Sequence, residues 1–192
     1  EAYLKELLRM VKTIKVGPYT DRPEPFMSEL INEKAADTVF EAFNKQKGHI
    51  LYPMERLGKR LLTPGIIEVN PLDVKDEEVF GPLLYLIRVK NLEEAIIEAN
   101  RSRYGLVAGI FTDKLSEYET FYYSVKSGVI NWNAPLTGAS SLAPFGGVKM
   151  SGNYRPAAYF ASDYTSYPVA STESYQLQIP AQIYPGIQGV KK

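Results

Sequence analysis

Apolar residues recur at helical spacing in several stretches of this chain. Leu4, Leu7, Leu8, Val11 and Ile14 lie three or four apart, which predicts an opening helix that Gly17 stops. Ala35, Val39, Phe40 and Phe43 share one face of a second helix, predicted from about Asn32 to Lys47 with Gly48 beyond it. Short strands near Ile50–Tyr52 and Ile66–Val69 are separated by turns around Pro53, Gly58 and Pro64–Gly65. Leu83–Val89 is apolar enough to predict a strand covered on both faces. Asn91 with Glu94 makes a capping-box-like start to a helix through Asn100, buried along Leu92, Ala95, Ile96 and Ala99. Leu106–Phe111 predicts another buried strand. Asp113 can cap a helix that carries Leu115, Tyr118, Phe121, Tyr122 and Val125 up to Gly128, and Val129–Asn131 reads as one more strand. Strand, helix, strand, helix, strand with short links implies crossovers and a parallel sheet. The fold class is α/β.

After Asn131 the pattern changes. The segment from Asn133 to Pro156 is rich in Gly, Pro, Ser and Asn, and it follows a buried strand, where α/β proteins place their ligand sites. From Ala158 the chain turns aromatic and β-prone, which predicts a short helix and then one or two exposed strands. The Pro-broken tail from Tyr175 to Lys192 reads as an extended arm. Residue 1 is Glu, and no capping residue precedes Leu4, so the expectation is a downstream piece of a longer protein.

Composition narrows the chemistry. The 192 residues are 45% hydrophobic and 23% charged, ordinary values for a globular chain that can bury a core. Lys+Arg 22 balances Asp+Glu 22 with no basic cluster, which argues against nucleic acid as partner. No apolar run approaches the roughly 20 residues of a membrane span, and no signal-peptide pattern opens the chain. Cysteine is absent, which excludes disulfides, thiolate metal sites and a Cys nucleophile supplied by this chain. His49 is the only histidine, so a His-centred triad or a multi-His metal site is poorly supplied, and a surface or strand-edge place is expected for it.

None of GxGxxG, GxxxxGK[ST], HExxH or GxSxG occurs. Two segments stand out. Asp76–Pro82, DEEVFGP, precedes a buried strand, and a carboxylate fixed there could accept hydrogen bonds from two neighbouring hydroxyls, as ribose recognition requires. Taken alone it is more often an acidic turn facing solvent. Ala143–Gly152, APFGGVKMSG, has glycines that allow a tight turn and close backbone approach around one aromatic ring, or merely connect two elements.

In combination, EVFGP, then YGLVAGIFT, then PFGGVKMSG resembles the C-terminal part of the NAD(P)-dependent aldehyde dehydrogenases, over residues 1–174. Within that family Thr63–Val69, Gly128–Gly147 and Ser151–Ser171 look most like the branch acting on a succinylated glutamate semialdehyde in arginine degradation. Pyrroline-5-carboxylate dehydrogenase and a less selective aldehyde dehydrogenase are the alternatives. From another class, so is a non-catalytic α/β interaction module.

The resemblance implies a Cys nucleophile, a thiohemiacetal, hydride transfer to NAD and a thioester hydrolysed by a Glu-activated water, with an Asn and a backbone amide steadying the oxyanion. The Cys, Glu and Asn would lie upstream of residue 1, so the chain alone is expected to be inactive. By the same resemblance Glu78 grips the nicotinamide ribose and Phe80 packs beside the nicotinamide. Thr137, Gly138, Ala139 and Ser140 form the substrate-selecting loop, where consecutive amides and two hydroxyls suit a carboxylate. Phe145 lines the aldehyde tunnel. Residues 1–160 would be the catalytic-domain portion and 161–192 a bridging strand, about Ser166–Ser174, with the tail. The implied partners are an upstream cofactor-binding half, the small semialdehyde and further copies of the subunit, with no nucleic acid, membrane or metal; the implied location is the cytoplasm. Met27-Ser28-Glu29 departs from the Met-Gly-Pro usual in relatives.

Overall fold

The computed structural model describes residues 1–178 and 185–186. Most of the tail expected as an extended arm therefore lies outside the described residues.

The opening helix, α1, spans Ala2–Val11 and buries only Val11. After it the chain is held by a lone bridge between Val16 and Met27. The departing Met-Ser-Glu segment is fixed by two contacts to one residue: Glu29 pairs with Arg60, whose carbonyl accepts from the Leu30 N–H at 2.8 Å. Helix α2, Glu33–Lys45, starts at Asn32, whose side chain accepts from the Ala35 N–H. Its buried face is Ala36, Val39 and Phe43. Ala35 and Phe40, expected inside, are half-buried, because they flank the stripe whose centre is Val39, Phe43 and Ala36.

Strands β1 (His49–Tyr52), β2 (Gly65–Glu68) and β3 (Leu83–Leu86) form one sheet in that order. β2 and β3 run parallel from Gly65 opposite Leu83 to Glu68 opposite Leu86, whereas β1 is antiparallel to β2. The sheet is thus mixed rather than parallel throughout. The link from β1 to β2, residues 53–64, carries no helix of the kind that usually makes a parallel crossover. His49 sits exposed at the start of β1, as expected. The core is built where α2 covers this sheet: Ala36, Val39, Phe43, Met54, Leu62, Ile67 and Val69.

β3 is shorter than predicted and covered on one side only, with Leu84 45% exposed. Helix α3, Leu92–Arg101, follows; Asn91 caps it by accepting from the Glu94 N–H, and Glu94 reaches back to the Lys90 N–H. Its apolar residues are half-buried at best, and Ala99 is exposed. Strands β4 (Tyr104–Gly105) and β5 (Val107–Ile110) come next, then α4, Leu115–Ser124. Asp113 does not cap α4: the N-cap is Lys114, with no side-chain cap bond. Thr112 takes over, its hydroxyl accepting from the Lys114 N–H and donating to Glu117 at 2.6 Å. β6, Val129–Trp132, runs parallel to β5 in a unit separate from the first sheet, and all four of its residues are half-buried. Trp132 stacks on Tyr118 at 4.6 Å and donates to the Thr112 carbonyl, tying β6 to α4.

Three two-residue strands complete the described chain: β7 (Pro144–Phe145), β8 (Val148–Lys149) and β9 (Ala157–Ala158). β7 pairs with β9, and β8 with β4. The short helix expected after Ala158 is α5, Ala161–Tyr164. The strand expected about Ser166–Ser174 finds no ladder among the described residues, where that segment is exposed throughout.

Candidate functional site

The Asp76–Pro82 segment is anchored at both ends. At its start the Asp76 carboxylate accepts from the Ser102 hydroxyl at 2.6 Å, the Arg103 N–H at 2.8 Å and the Arg103 guanidinium at 3.0 Å. The hydroxyl and then the amide hold its carboxyl down at about 2; the guanidinium, on a side chain 59% exposed, adds less. At its end the Pro82 carbonyl accepts from the Gly65 N–H at 2.8 Å, beside the start of β3. Gly81 presses on Val39 so closely that a Cβ would stand 2.4 Å from its side chain. Between these anchors Val79 packs on the core. Glu78 is exposed, and among the described residues its carboxylate makes no hydrogen bond or ion pair. Phe80, two residues on, is 77% exposed. A fixed backbone thus presents a free carboxylate and a free ring.

The loop after β6 leaves through Asn133, whose side chain accepts from the Thr112 N–H. Asn131 donates to the Pro135 carbonyl at 2.7 Å, and Leu136 closes over Gly109. Thr137, Gly138, Ala139 and Ser140 are all exposed. Gly138 is left-handed, φ 88°, with open space where a Cβ would be. No N–H of these four residues donates a hydrogen bond among the described residues; only the Ser140 oxygens are engaged, by the N–H groups of Leu142 and Ala143. An unpaired run of amides beside two hydroxyls is a suitable cradle for an anion.

Phe145 lies in β7 opposite Ala157, its ring 38% exposed. The glycines after it do what the pattern suggested. Gly128, at the start of β6, meets the Gly146 carbonyl so closely that a Cβ would lie 1.6 Å from it. No side chain fits between these two backbones.

The structure does not bring all the expected residues into one cavity. Glu78 lines a groove with Lys34, Thr38, Lys45, Lys75 and Tyr85, whereas Arg155, Phe160, Tyr164 and Tyr167 line a separate hollow beside α5. Neither contains Phe145 or the 137–140 loop. What joins the motif segments is residues 100–105. Asp76 binds there from one side, and Lys149 from the other, donating to the carbonyls of Asn100 at 3.0 Å and Ser102 at 2.9 Å. Motif reading quoted both residues but assigned neither a part, since a long-range ion contact leaves no periodic trace in sequence.

Residues 1–168 match the aldehyde dehydrogenase family. An N-succinylglutamate 5-semialdehyde dehydrogenase from Hahella chejuensis is 45% identical over 97% of this chain, which spans 39% of that protein. Its counterpart from Chromobacterium violaceum is 44% identical over 97% of this chain, 40% of that protein. The chain thus spans about two fifths of the length of these curated relatives. Among solved structures, a 1-pyrroline-5-carboxylate dehydrogenase from Thermus with bound NAD superposes with a TM-score of 0.77 at 27% identity, over 84% of this chain and 33% of that one.

Proposed function

The chain belongs to the aldehyde dehydrogenase family, and on that premise we propose that it forms the C-terminal part of an NAD-dependent dehydrogenase oxidising N-succinylglutamate 5-semialdehyde to the acid. The observation that carries the cofactor side is Glu78, a free carboxylate on a segment held rigid at both ends, with an exposed Phe80 ring beside it. A carboxylate has lone pairs for both hydroxyls of a ribose, and the ring offers a flat apolar face to a nicotinamide. The residues fit the group. NAD, when bound, would accept the hydride that leaves the aldehyde carbon.

On the substrate side, the unpaired amides at Thr137–Ser140 would receive a substrate carboxylate. Phe145 would wall the approach to the aldehyde and keep water from it. The nucleophilic Cys, the Glu that activates water and the oxyanion Asn come from the sequence upstream in this proposal, because the chain holds no cysteine. Ser166–Ser174, unladdered here, would pair with a neighbouring subunit.

The test is to purify the chain joined to its upstream coding sequence and measure NAD reduction with N-succinylglutamate 5-semialdehyde, with pyrroline-5-carboxylate, and with a plain short aldehyde. Turnover favouring the succinylated substrate, with none from the 192-residue chain alone, is the expected result. A preference for pyrroline-5-carboxylate would move the assignment to that branch, and turnover by the isolated chain would overturn the division of labour.

A further inference from the structure

The loop Asn100–Gly105, which leaves the C-terminus of α3, touches both motif segments at once. Ser102 gives its hydroxyl to Asp76 and its carbonyl to Lys149. Arg103 gives its N–H and guanidinium to Asp76, while its carbonyl accepts from the Met150 N–H at 3.0 Å. Gly105 donates to the Ser151 hydroxyl at 2.9 Å. The Lys149 ammonium lies where a helix C-terminus favours a cation, and it ties two carbonyls at the end of α3. Its backbone is left-handed, φ 54°, a strain that a non-glycine residue keeps only when its surroundings hold it there.

We propose that Asp76 and Lys149 are positioning residues that clamp the Glu78 segment and the Phe145 turn to one shared platform, Ser102–Arg103, so that the cofactor-facing and aldehyde-facing parts keep a fixed mutual distance. Asp76 stands two residues before Glu78, and Lys149 four after Phe145. Each clamp contact is therefore close enough to its motif residue to set where that residue points. Neither Glu77 nor Glu78 has a hydrogen bond of its own among the described residues, so the Asp76 contacts supply the polar hold on that end. Its carboxylate, held down at about 2, stays charged at every working pH. The Asp76 role rests on the ribose-holding assignment of Glu78; the coupling of the two segments does not.

The experiment uses the chain joined to its upstream sequence, with variants Asp76→Ala, Asp76→Asn, Lys149→Met and Glu78→Gln. In cofactor-free protein, amide exchange at Gly81 and Gly65, whose N–H groups bond the Val79 and Pro82 carbonyls of the segment, should quicken by about tenfold in Asp76→Ala. The signature of the clamp is crossed: Lys149→Met should also quicken exchange at Gly65 and Gly81, and Asp76→Ala should quicken it at Lys149 and Met150, whose N–H groups bond Tyr154 and Arg103. Asp76→Asn keeps one acceptor oxygen and should restore most of the protection. In NAD titrations, Asp76→Ala should weaken binding about tenfold, the loss of one charge-assisted contact. Combined with Glu78→Gln it should add less than about twofold, because both changes act through one contact. Variants that loosen only their own segment, or a full tenfold added on top of Glu78→Gln, would overturn the clamp. Unchanged NAD affinity in Glu78→Gln would instead sink the ribose assignment, and the crossed exchange would still decide the coupling.

Discussion

Between Asn32 and Val69 the chain builds a buried apolar core, with Ile50 and Leu57 left exposed, whereas from Leu83 onward it presents many of its apolar residues. Ala36, Leu62 and Ile67 are 0% exposed and Val39 and Ile66 1%. Among the described residues of the second region only Phe121 and Val125 are buried hydrophobics, while Leu84 is 45% exposed, Ile97 63%, Phe111 68% and Leu142 85%. Both regions have apolar strands; they differ in what lies on them. α2 lies across β2, whereas every residue of β5 and β6 is only half-buried and Leu84 of β3 is exposed. Exposed apolar residues in such number accord with the proposal that a further part of a longer protein packs here, and the curated relatives are more than twice as long.

The largest effect should separate the two regions directly. Ile67→Ala empties a fully buried site and should cost about 2–5 kcal/mol in urea unfolding of the chain. Leu84→Ala removes a side chain already half in water, and should cost roughly 1 kcal/mol. In the protein joined to its upstream sequence the Leu84 cost should rise toward that of Ile67, because the strand is then covered. Equal Leu84 costs in both contexts would break the comparison.

That contrast also explains what could be read from sequence and what could not. α2 and α3 were legible nearly to the residue, because Asn32 and Asn91 are local signals and the apolar residues of each helix recur at helical spacing. The faces themselves were less so: Ala36 lies inside the stripe that Val39 and Phe43 define, while Ala35 and Phe40 flank it. Leu83–Val89 looked like a strand covered on both sides, and the run of apolar residues does state what the strand needs; it cannot say which chain supplies the cover. The pairings of β4 with β8 and β7 with β9 join two-residue strands across long sequence separations, too short to carry any alternation. At the candidate site, Glu78, Phe80, Phe145 and the 137–140 loop were singled out from sequence, whereas Asp76 and Lys149 stood inside the quoted segments with no part assigned, and Ser102 and Arg103 lay outside them.

Glycines sharpen the comparison on a smaller scale. At Gly128 an added methyl would lie 1.6 Å from the Gly146 carbonyl and 3.1 Å from the Gly147 Cα, all backbone that cannot rotate aside. Gly128→Ala should therefore displace the turn carrying Phe145 and cost about 1–3 kcal/mol, with altered aldehyde KM in the joined protein. At Gly138 nothing stands within 4 Å and only the left-handed φ of 88° resists a side chain. Gly138→Ala should cost about 1 kcal/mol and leave Phe145 where it is. A larger penalty at Gly138 than at Gly128 would mean that the open loop, not the packed turn, is the rigid part.

The smallest expected effect is a pH dependence at Asp76. Its carboxyl is lowered from 3.8 to about 2 by the Ser102 hydroxyl, then by the Arg103 N–H. A depressed carboxyl contributes stability that is fully present above its unfolded value and is lost as pH falls through its folded one. Asp76→Asn keeps an acceptor but not the charge, so the wild-type chain should be the more stable at about pH 6, with the gap closing between about pH 4 and pH 2. The effect should be modest because the Asp76 side chain is 36% exposed. Glu94 and Glu117, whose carboxyls are also lowered, titrate alike in both proteins and cancel in the difference. Thermal midpoints of the two proteins measured across that range decide the matter. A gap that widens on acidification, or that is the same at both ends, would show that the platform holds Asp76 by shape and not by its charge.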